Sequence, residues 1–231
     1  MTLPPGQRAI DGFRRFGTHL HRPPPEIPAD PAIEIAGAVT EPFSLPLTDL
    51  AKLPRRELTA DFHCVAGWSA TNLRWEGVAF ETFYRRVVEP RLARGTSVTH
   101  LGFVGLDSYR SIVTIADALS EDVLIADRLG GRPLDSDHGA PVRLVSPSQY
   151  GFISTKHLCR VEVHTAEPEE RYERLPLITR LGLRSVFVKP HPRARVWEEE
   201  RARHLPAWAV RLPYRALIAP IRFISARGSR R

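Results

Sequence analysis

The sequence has few cysteines and no long apolar run, and each shortage excludes a class of protein. Two cysteines, Cys64 and Cys159, in 231 residues are too few for a disulfide-rich scaffold, and the paired C-x-x-C motifs of zinc ribbons are absent. No stretch approaches the length of a membrane-spanning helix. Arg14 and Arg15 are not followed by the apolar segment of an export signal. We therefore expect a cytoplasmic protein.

Lysine is also scarce, although the chain is strongly basic. The net charge is +7 and the isoelectric point is near 10.0, yet lysine occurs only at Lys52, Lys156 and Lys189. Arginine supplies the other cations, and its planar guanidinium suits bidentate recognition of phosphate and carboxylate. A basic balance is compatible with nucleic acid, an anionic membrane surface or an anionic ligand, and bulk charge alone does not choose among them.

The order of patterns along the chain predicts an α+β fold. We expect an irregular N-terminal arm at residues 1–30, a body at 31–165, and a basic, partly helical extension at 166–231 that packs on the body. Many short strands and few short helices favour a mixed sheet over a doubly wound one. Predicted strands are residues 32–39, 43–47, 57–65, 98–106, 109–115, 123–126, 142–146 and 159–164. Predicted helical segments are 48–53, 80–88, 116–119, 154–158 and 195–204, and residues 67–77 are predicted to be a loop.

Cys64 is the first candidate functional residue, because it lies where an apolar strand gives way to a loop of small and polar residues. Three roles fit a cysteine in that position. It can be a small buried hydrophobe, a catalytic nucleophile, or a thiolate ligand to a metal. His63 precedes it, but adjacent strand residues point to opposite faces, so His63 is badly placed to act as its base. The isolated residues leave all three roles open.

A second stretch, at residues 138–156, offers the donors that grip a phosphate. Arg143 is a fixed cation, Ser154 and Thr155 carry hydroxyl groups, and Lys156 carries an ammonium. The phosphate-binding motif G-x-x-x-x-G-K-[ST] is absent. Taken one at a time, these residues are also typical of a solvated turn.

Together the two stretches resemble the molybdopterin-binding domain of the sulfite oxidase family. The likeness is closest to the compact bacterial members related to the catalytic subunit of periplasmic methionine sulfoxide reductase. It rests on an ordered series of motifs that covers roughly residues 32–165. The motifs are residues 62–65 (Phe-His-Cys-Val), 67–69, 74–78, 107–110, 117–119, 138–145 (His-Gly-Ala-Pro-Val-Arg-Leu-Val), 150–152 and 156–158.

The resemblance implies a sulfite-oxidase-type fold and a set of site residues. Cys64 would be the sole protein ligand to molybdenum, with a pterin dithiolene and oxo groups completing the coordination. Arg143 and Lys156 would contact the pterin or its phosphate, with Ser154 and Thr155 donating nearby. The resemblance also places two histidines, His63 and His138, at the cofactor, and Tyr109 in the catalytic pocket. The implied reaction is oxygen-atom transfer to or from a small oxo compound such as a sulfoxide or N-oxide.

Expected partners follow from what the sequence lacks. No haem or iron–sulfur motif is present, so we expect a separate electron-transfer protein in addition to the small-molecule oxo substrate. No nucleic acid is expected, because aromatic residues are not interleaved with the arginines. Residues 206–231 can pack on the body, anchor the chain on a membrane, or dock a redox partner. Two other function classes stay open: a cofactor-free thiol enzyme using Cys64, and a basic anion- or nucleic-acid-binding module.

Overall fold

The computed structural model describes residues 2–16, 23–168, 191 and 193–228. Lys189 and parts of the predicted arm and extension lie outside these residues. The described chain forms two β-sheets and five α-helices. The strands are β1 (Ala9–Ile10), β2 (Ala32–Gly37), β3 (Phe43–Pro46), β4 (Arg55–His63), β5 (Ser69–Ala79), β6 (His100–Gly105), β7 (Arg110–Thr114), β8 (Leu124–Leu129), β9 (Arg132–Pro133), β10 (Arg143–Val145) and β11 (Leu158–His164). The helices are α1 (Leu47–Leu50), α2 (Phe80–Phe83), α3 (Ile115–Ala118), α4 (Ala207–Ala216) and α5 (Ile218–Gly228).

The first sheet has six strands and is built around β5. Strand β5 pairs antiparallel with β4 along its length, antiparallel with β8 through its second half, and parallel with β1 of the arm. Strand β10 pairs with the other side of β8. The prediction of a loop at residues 67–77 was therefore wrong. Small and polar residues in this stretch suggest a loop, and they hide the alternation of buried and exposed residues around Trp75. Asn72 also interrupts this alternation, since its φ is 56°.

The second sheet has five strands in the order β3-β2-β11-β6-β7. Strands β2 and β11 run parallel, and the other pairs are antiparallel. Parallel and antiparallel pairs therefore occur in both sheets, and the predicted mixed α+β architecture is confirmed. Strand β11 is central, since its apolar residues Val161 and Val163 are fully buried between β2 and β6.

The main core lies on the inner face of the second sheet. Alternate residues of β2 and β6 point into it, as the two-residue period of a strand requires, and helix α2 covers it. Helix α2 continues through a π-helical turn at Tyr84–Val88 and a 3-10 turn at Glu89–Arg91, so the helix predicted at 80–88 is present. The fully buried members of the main core include Ile33, Ile35, Phe80, Phe83, Leu101 and Phe103.

Two predicted helical segments are absent. Residues 154–158 bend instead of forming a helical turn, and His157 has φ of 53°, outside the right-handed helical region. Residues 195–204 form turns, because Glu199 also has a positive φ and two guanidinium nitrogens of Arg195 donate to one carboxylate oxygen of Asp117 in α3. In both places tertiary contacts outweigh a local helical preference.

The C-terminal segment returns to the body beside residues 148–150. The Tyr150 amide donates to the Ala194 carbonyl at 2.8 Å, and the Val196 amide donates to the Ser148 carbonyl at 3.0 Å. Helices α4 and α5 follow, and Ile218 of α5 packs near Cys64. Among the described residues, no helix is long and apolar enough to cross a bilayer.

Candidate functional site: a buried thiol beside two buried cations

Cys64 lies at the tight turn that joins β4 to β5. Its amide donates to the Trp68 carbonyl at 2.8 Å, and its carbonyl accepts from the Gly67 amide at 2.9 Å. Gly67 has φ of 98°, a backbone conformation that residues with a Cβ rarely adopt. The side-chain amide of Gln7, in the arm, donates to the Cys64 carbonyl at 3.1 Å. The turn and the arm therefore fix the backbone that carries the thiol.

The Cys64 side chain sits in an apolar cluster that we call the thiol cluster. It consists of Cys64, Ala66, Trp68 and Ala70, with Ile10, Phe13, Phe16, Phe62, Leu73 and Ile218 packed against it. Only 7% of Cys64 is exposed, and this burial raises the pKa of its thiol to about 12. Among charged groups, Arg201 opposes that rise. The thiol is therefore protonated at neutral pH, which disfavours the nucleophile role.

His63 is buried beside Cys64 in sequence but is engaged elsewhere. Its Nδ1 lies 2.7 Å from the Ser69 hydroxyl, which in turn donates to the Gln7 carbonyl oxygen at 3.1 Å. Burial lowers the pKa of His63, so the imidazole is neutral at pH 7. The structure thus shows His63 linking β4, β5 and the arm.

Arg143 of β10 and Lys156 form a pair of buried cations, which we call the cation pair. Arg143 is 1% exposed and donates to three backbone carbonyls, that of His138 at 2.9 Å, that of Ser154 at 3.0 Å and that of Leu144 at 3.3 Å. Burial lowers the pKa of Arg143 to about 9. Burial, with repulsion from Arg143 and Arg15, lowers the pKa of Lys156 to about 7. The Lys156 ammonium donates to the Asp137 carbonyl at 2.5 Å.

The cation pair fits an anionic group. In the part of the chain that the structure describes, no carboxylate lies within ion-pair distance of Arg143 or Lys156. Asp137 and Asp107 raise the pKa of Lys156 only slightly, and burial with repulsion from Arg143 and Arg15 outweighs them. Two adjacent buried cations with no carboxylate at ion-pair distance are unfavourable, since buried charges are normally paired. A phosphate or comparable anion would restore both pKa values and use the guanidinium and ammonium donors. The residues therefore fit the phosphate end of a pterin cofactor.

Aromatic rings connect the cation pair to the thiol cluster. The Arg143 guanidinium lies 5.2 Å from the Trp75 ring, 5.6 Å from the Phe13 ring and 5.7 Å from the Phe62 ring. Phe13 and Phe62 are edge-to-face at 4.9 Å, and both also pack in the thiol cluster. Phe13 and Phe62 therefore contact both stretches singled out in the sequence, the one around Cys64 and the one at residues 138–156.

His138 lies at the same place. Its Nδ1 is 2.7 Å from the Asp135 carboxylate and its Nε2 is 2.9 Å from the Phe13 carbonyl, while its ring stacks on Phe13 at 5.0 Å. Its own carbonyl accepts from Arg143. His138 therefore joins the arm to the cation pair.

The two hydroxyl candidates are occupied within the protein. The Ser154 hydroxyl accepts from the Ser146 amide at 3.1 Å, and the Thr155 hydroxyl is 2.8 Å from the Ser111 hydroxyl. Ser154 contributes its carbonyl to Arg143 instead. These contacts hold the residues in place, and donation to a cofactor stays a prediction.

Tyr109 lies on the side of the second sheet. Its hydroxyl donates to the Phe152 carbonyl at 2.7 Å, and its amide donates to the Asp107 carboxylate at 3.0 Å. Its catalytic role also stays a prediction.

Sequence reasoning missed Arg201, which reaches the backbone next to Cys64 from the C-terminal segment. Its side chain is 1% exposed, its guanidinium donates to the Val65 carbonyl next to Cys64, and it lies 5.0 Å from the Tyr150 ring. Arg201 also forms an ion pair with Glu199 at 3.6 Å, while its buried Nε has no hydrogen-bond partner among the described residues. Because 136 residues separate Arg201 from Val65, no local pattern could have identified it.

A thiol buried at a turn of the first sheet and two adjacent buried cations, with no carboxylate at ion-pair distance among the described residues, define a domain suited to an anionic group beside a metal-ligating sulfur. A family model described as "Oxidoreductase molybdopterin binding domain" matches residues 21–172. The chain belongs to this family, which confirms the resemblance, the sulfite-oxidase-type fold and molybdopterin with molybdenum as the cofactor.

Three proteins illustrate the similarity. The catalytic subunit MsrP of protein-methionine-sulfoxide reductase from Xanthomonas campestris is 30% identical over 196 residues, covering 78% of this chain and 59% of that protein. Mitochondrial sulfite oxidase of Mus musculus is 30% identical over 200 residues, covering 74% of this chain and 37% of that protein. A putative protein-methionine-sulfoxide reductase subunit, YedZ1, from Azospira oryzae is 28% identical over 141 residues, covering 61% of this chain and 52% of that protein. The chain thus spans about half the length of the curated relatives it matches.

The crystal structure of the sulfane dehydrogenase SoxCD from Paracoccus pantotrophus has the same fold. It superposes with a TM-score of 0.55 at 22% identity, covering 72% of this chain and 44% of that chain. At this identity the likeness concerns the fold alone.

Proposed function

We propose that this chain is a molybdopterin-dependent oxidoreductase in which the Cys64 thiolate ligates molybdenum. The observation that carries the proposal is the cation pair, buried with no carboxylate at ion-pair distance among the described residues and connected to the thiol cluster through Phe13 and Phe62. When bound, the molybdenum cofactor supplies two-electron oxygen-atom transfer. The proposed substrate is a sulfoxide, an N-oxide or another small oxo compound, supported by relatives named sulfoxide reductases and sulfite oxidases.

The protein residues have separate tasks in this proposal. Arg143 and Lys156 bind the anionic end of the cofactor, and His138 holds the arm against them. Cys64 must lose its proton to bind the metal, because only the thiolate is a ligand. Its pKa of about 12 in the cofactor-free protein means that metal binding displaces this proton. The apolar thiol cluster excludes water around the sulfur.

A separate electron-transfer partner is part of the proposal. Two relatives carry the names "subunit" and "catalytic subunit", which supports an enzyme that works with another protein. The chain also has no haem or iron–sulfur binding motif in its sequence. The proposal predicts that a physiological electron carrier, and not only an artificial dye, supports turnover.

The test is X-ray absorption at the molybdenum edge of protein expressed with cofactor biosynthesis. We expect stoichiometric molybdenum and a sulfur shell that loses one scatterer in Cys64→Ser. Cys159→Ser is the matched control, because Cys159 lies on β11 and donates to the Val104 carbonyl at 3.5 Å. Activity should vanish in Cys64→Ser and persist in Cys159→Ser.

Two results would contradict the proposal. An unchanged sulfur shell in Cys64→Ser would remove Cys64 as the ligand. Alkylation-sensitive activity in protein without molybdenum would instead support a cofactor-free thiol enzyme. With loaded enzyme, a screen of sulfoxides, N-oxides and sulfite then assigns the substrate class.

A further inference from the structure

The positive charge of the chain is concentrated at its C-terminal end. The segment after Glu200 contains eight arginines and no aspartate or glutamate, whereas the residues before it carry nearly equal numbers of cations and anions. This segment therefore carries a charge of +8 and residues 1–200 carry −1, which together give the net charge of +7. Such a distribution attracts an anionic surface to one end of the molecule.

Helix α4 carries apolar residues on two opposite sides. Val210 faces the body and is 1% exposed, whereas Trp208 and Leu212 are 75% and 74% exposed. Residues four apart lie on one side of a helix, so Trp208 and Leu212 are neighbours. An outward tryptophan and leucine are unusual on a surface helix, whose outward side is normally polar.

The apolar row continues across the junction into α5. Trp208, Leu212, Ala216, Ala219 and Phe223 follow one another at helical spacing and are all exposed. We call these five residues the outward face. Arg222, also exposed, is next to it on α5. The outward face is therefore an apolar row with an exposed arginine beside it.

The opposite side of the helix pair is fixed to the body. Arg211 forms an ion pair with Glu199, and the Arg215 guanidinium donates to the Gly6 carbonyl at 3.3 Å. Ile218 packs in the thiol cluster. Because these contacts hold the inner side, the outward face is presented to an external partner and is not free to turn inward.

We propose that the outward face docks on the anionic surface of a lipid bilayer. Tryptophan at the headgroup level, apolar side chains below it and arginines that contact lipid phosphates are the features of interfacial helices. A second copy of the chain is a poor occupant, because both copies would bring the same basic C-terminal segment, which has no aspartate or glutamate. Helix α4 has 10 residues, about 15 Å, so it lies on the bilayer and does not span it. This proposal does not depend on the proposed reaction.

Docking in this orientation has a consequence for the site. Ile218 belongs to α5 and also contacts the thiol cluster, so the bilayer would lie on the side of the molecule nearest Cys64. An electron carrier embedded in that bilayer would then meet the site from the same side.

The test is co-flotation of the full chain with vesicles. We expect binding to phosphatidylcholine vesicles that contain phosphatidylglycerol, and at least tenfold weaker binding to phosphatidylcholine alone or at high salt. The double variant Trp208→Ala/Leu212→Ala should bind at least tenfold more weakly. Because both side chains are exposed, its thermal unfolding should be unchanged. Arg222→Gln should weaken binding about fivefold, and Arg94→Gln, an exposed arginine of the body, should not.

The matched control is Trp197→Ala/Ile27→Ala, which removes an exposed tryptophan and an exposed aliphatic residue outside the two helices. It should retain binding within about twofold. Equal loss in this control, or unchanged binding in Trp208→Ala/Leu212→Ala, would refute the assignment of the face. Equal binding to neutral and anionic vesicles would refute the charge argument. A dimer in light scattering that dissociates in Trp208→Ala/Leu212→Ala would identify a second copy as the occupant and overturn the proposal.

Discussion

The substitution Lys156→Met is expected to stabilise the cofactor-free protein and to abolish cofactor binding. The Lys156 ammonium is buried beside Arg143, and its one described hydrogen-bond partner is the Asp137 carbonyl. Methionine has a similar shape and carries no charge, so it removes the repulsion and the desolvation cost at once. A lysine retained only for packing would give no such pair of opposite effects.

The magnitude follows from the pKa. The folded protein lowers the pKa of Lys156 from 10.5 to about 7, which corresponds to roughly 5 kcal/mol of unfavourable protonation. Losing the hydrogen bond to Asp137 costs about 1 kcal/mol. Since the unfolded state binds the proton more tightly, wild-type stability rises with pH from about 7 towards 10.5 and lacks this contribution below pH 7. The gain in Lys156→Met is therefore largest at pH 6, about 4 kcal/mol, and shrinks as pH rises.

The measurement is urea unfolding of cofactor-free protein from pH 6 to 9, together with the pterin content of protein expressed with cofactor biosynthesis. Lys52→Met is the matched control, because Lys52 is exposed and pairs only with Asp49 at 2.7 Å. Its effect should stay below about 0.5 kcal/mol. Loss of stability in Lys156→Met at pH 6, or normal pterin content in that variant, would refute the reasoning.

Three further outcomes are expected. Gly151→Ala would place a Cβ 2.0 Å from Cζ of Phe62, so thermal unfolding should show a loss of several kcal/mol that Phe62→Leu partly restores; equal stability would contradict this packing. Hydrogen bonds from His164 and, to a smaller extent, from Arg110 lower the pKa of Glu162 to about 2. Stability should therefore fall as pH drops from 4.5 towards 2, and Glu162→Gln should flatten that pH dependence in acid-unfolding curves. In cofactor-free protein, mass spectrometry after iodoacetamide treatment should show Cys159 labelled before the buried Cys64; the reverse order would favour a thiol enzyme.

The body of the fold was largely predictable because its strands carry their signal locally. Apolar residues alternate or cluster over five to seven positions in β6, β7 and β11, and these strands lie where the pattern predicts them. Strand β5 was missed because polar residues and the positive φ of Asn72 disguise a strand whose pairing with β4, β8 and β1 is non-local. The prediction of a helix at 195–204 was wrong for a related reason, since the contact of Arg195 with Asp117 is made across the fold.

The candidate site was likewise predictable only in part. The proximity of Arg143 to Lys156 was implied by their short separation around a strand, and the family resemblance linked them to Cys64. The contributions of Phe13 and Arg201 were not predictable, because the arm and the C-terminal segment reach the site from opposite ends of the chain. Sequence order records neither contact.

The electrostatics of the site specify the polarity of what it binds. Cys64 must become an anion to ligate a metal, yet burial favours its neutral form. Arg143 and Lys156 are cations whose charge burial also disfavours. The thiolate does not compensate them directly, since Arg201 and not the cation pair opposes the rise in the Cys64 pKa. A ligand that relieves both costs must present an electrophilic metal to the sulfur and a phosphate to the cations. Binding should therefore release a proton from Cys64 and raise the pKa of Lys156, so cofactor affinity depends on pH through both groups.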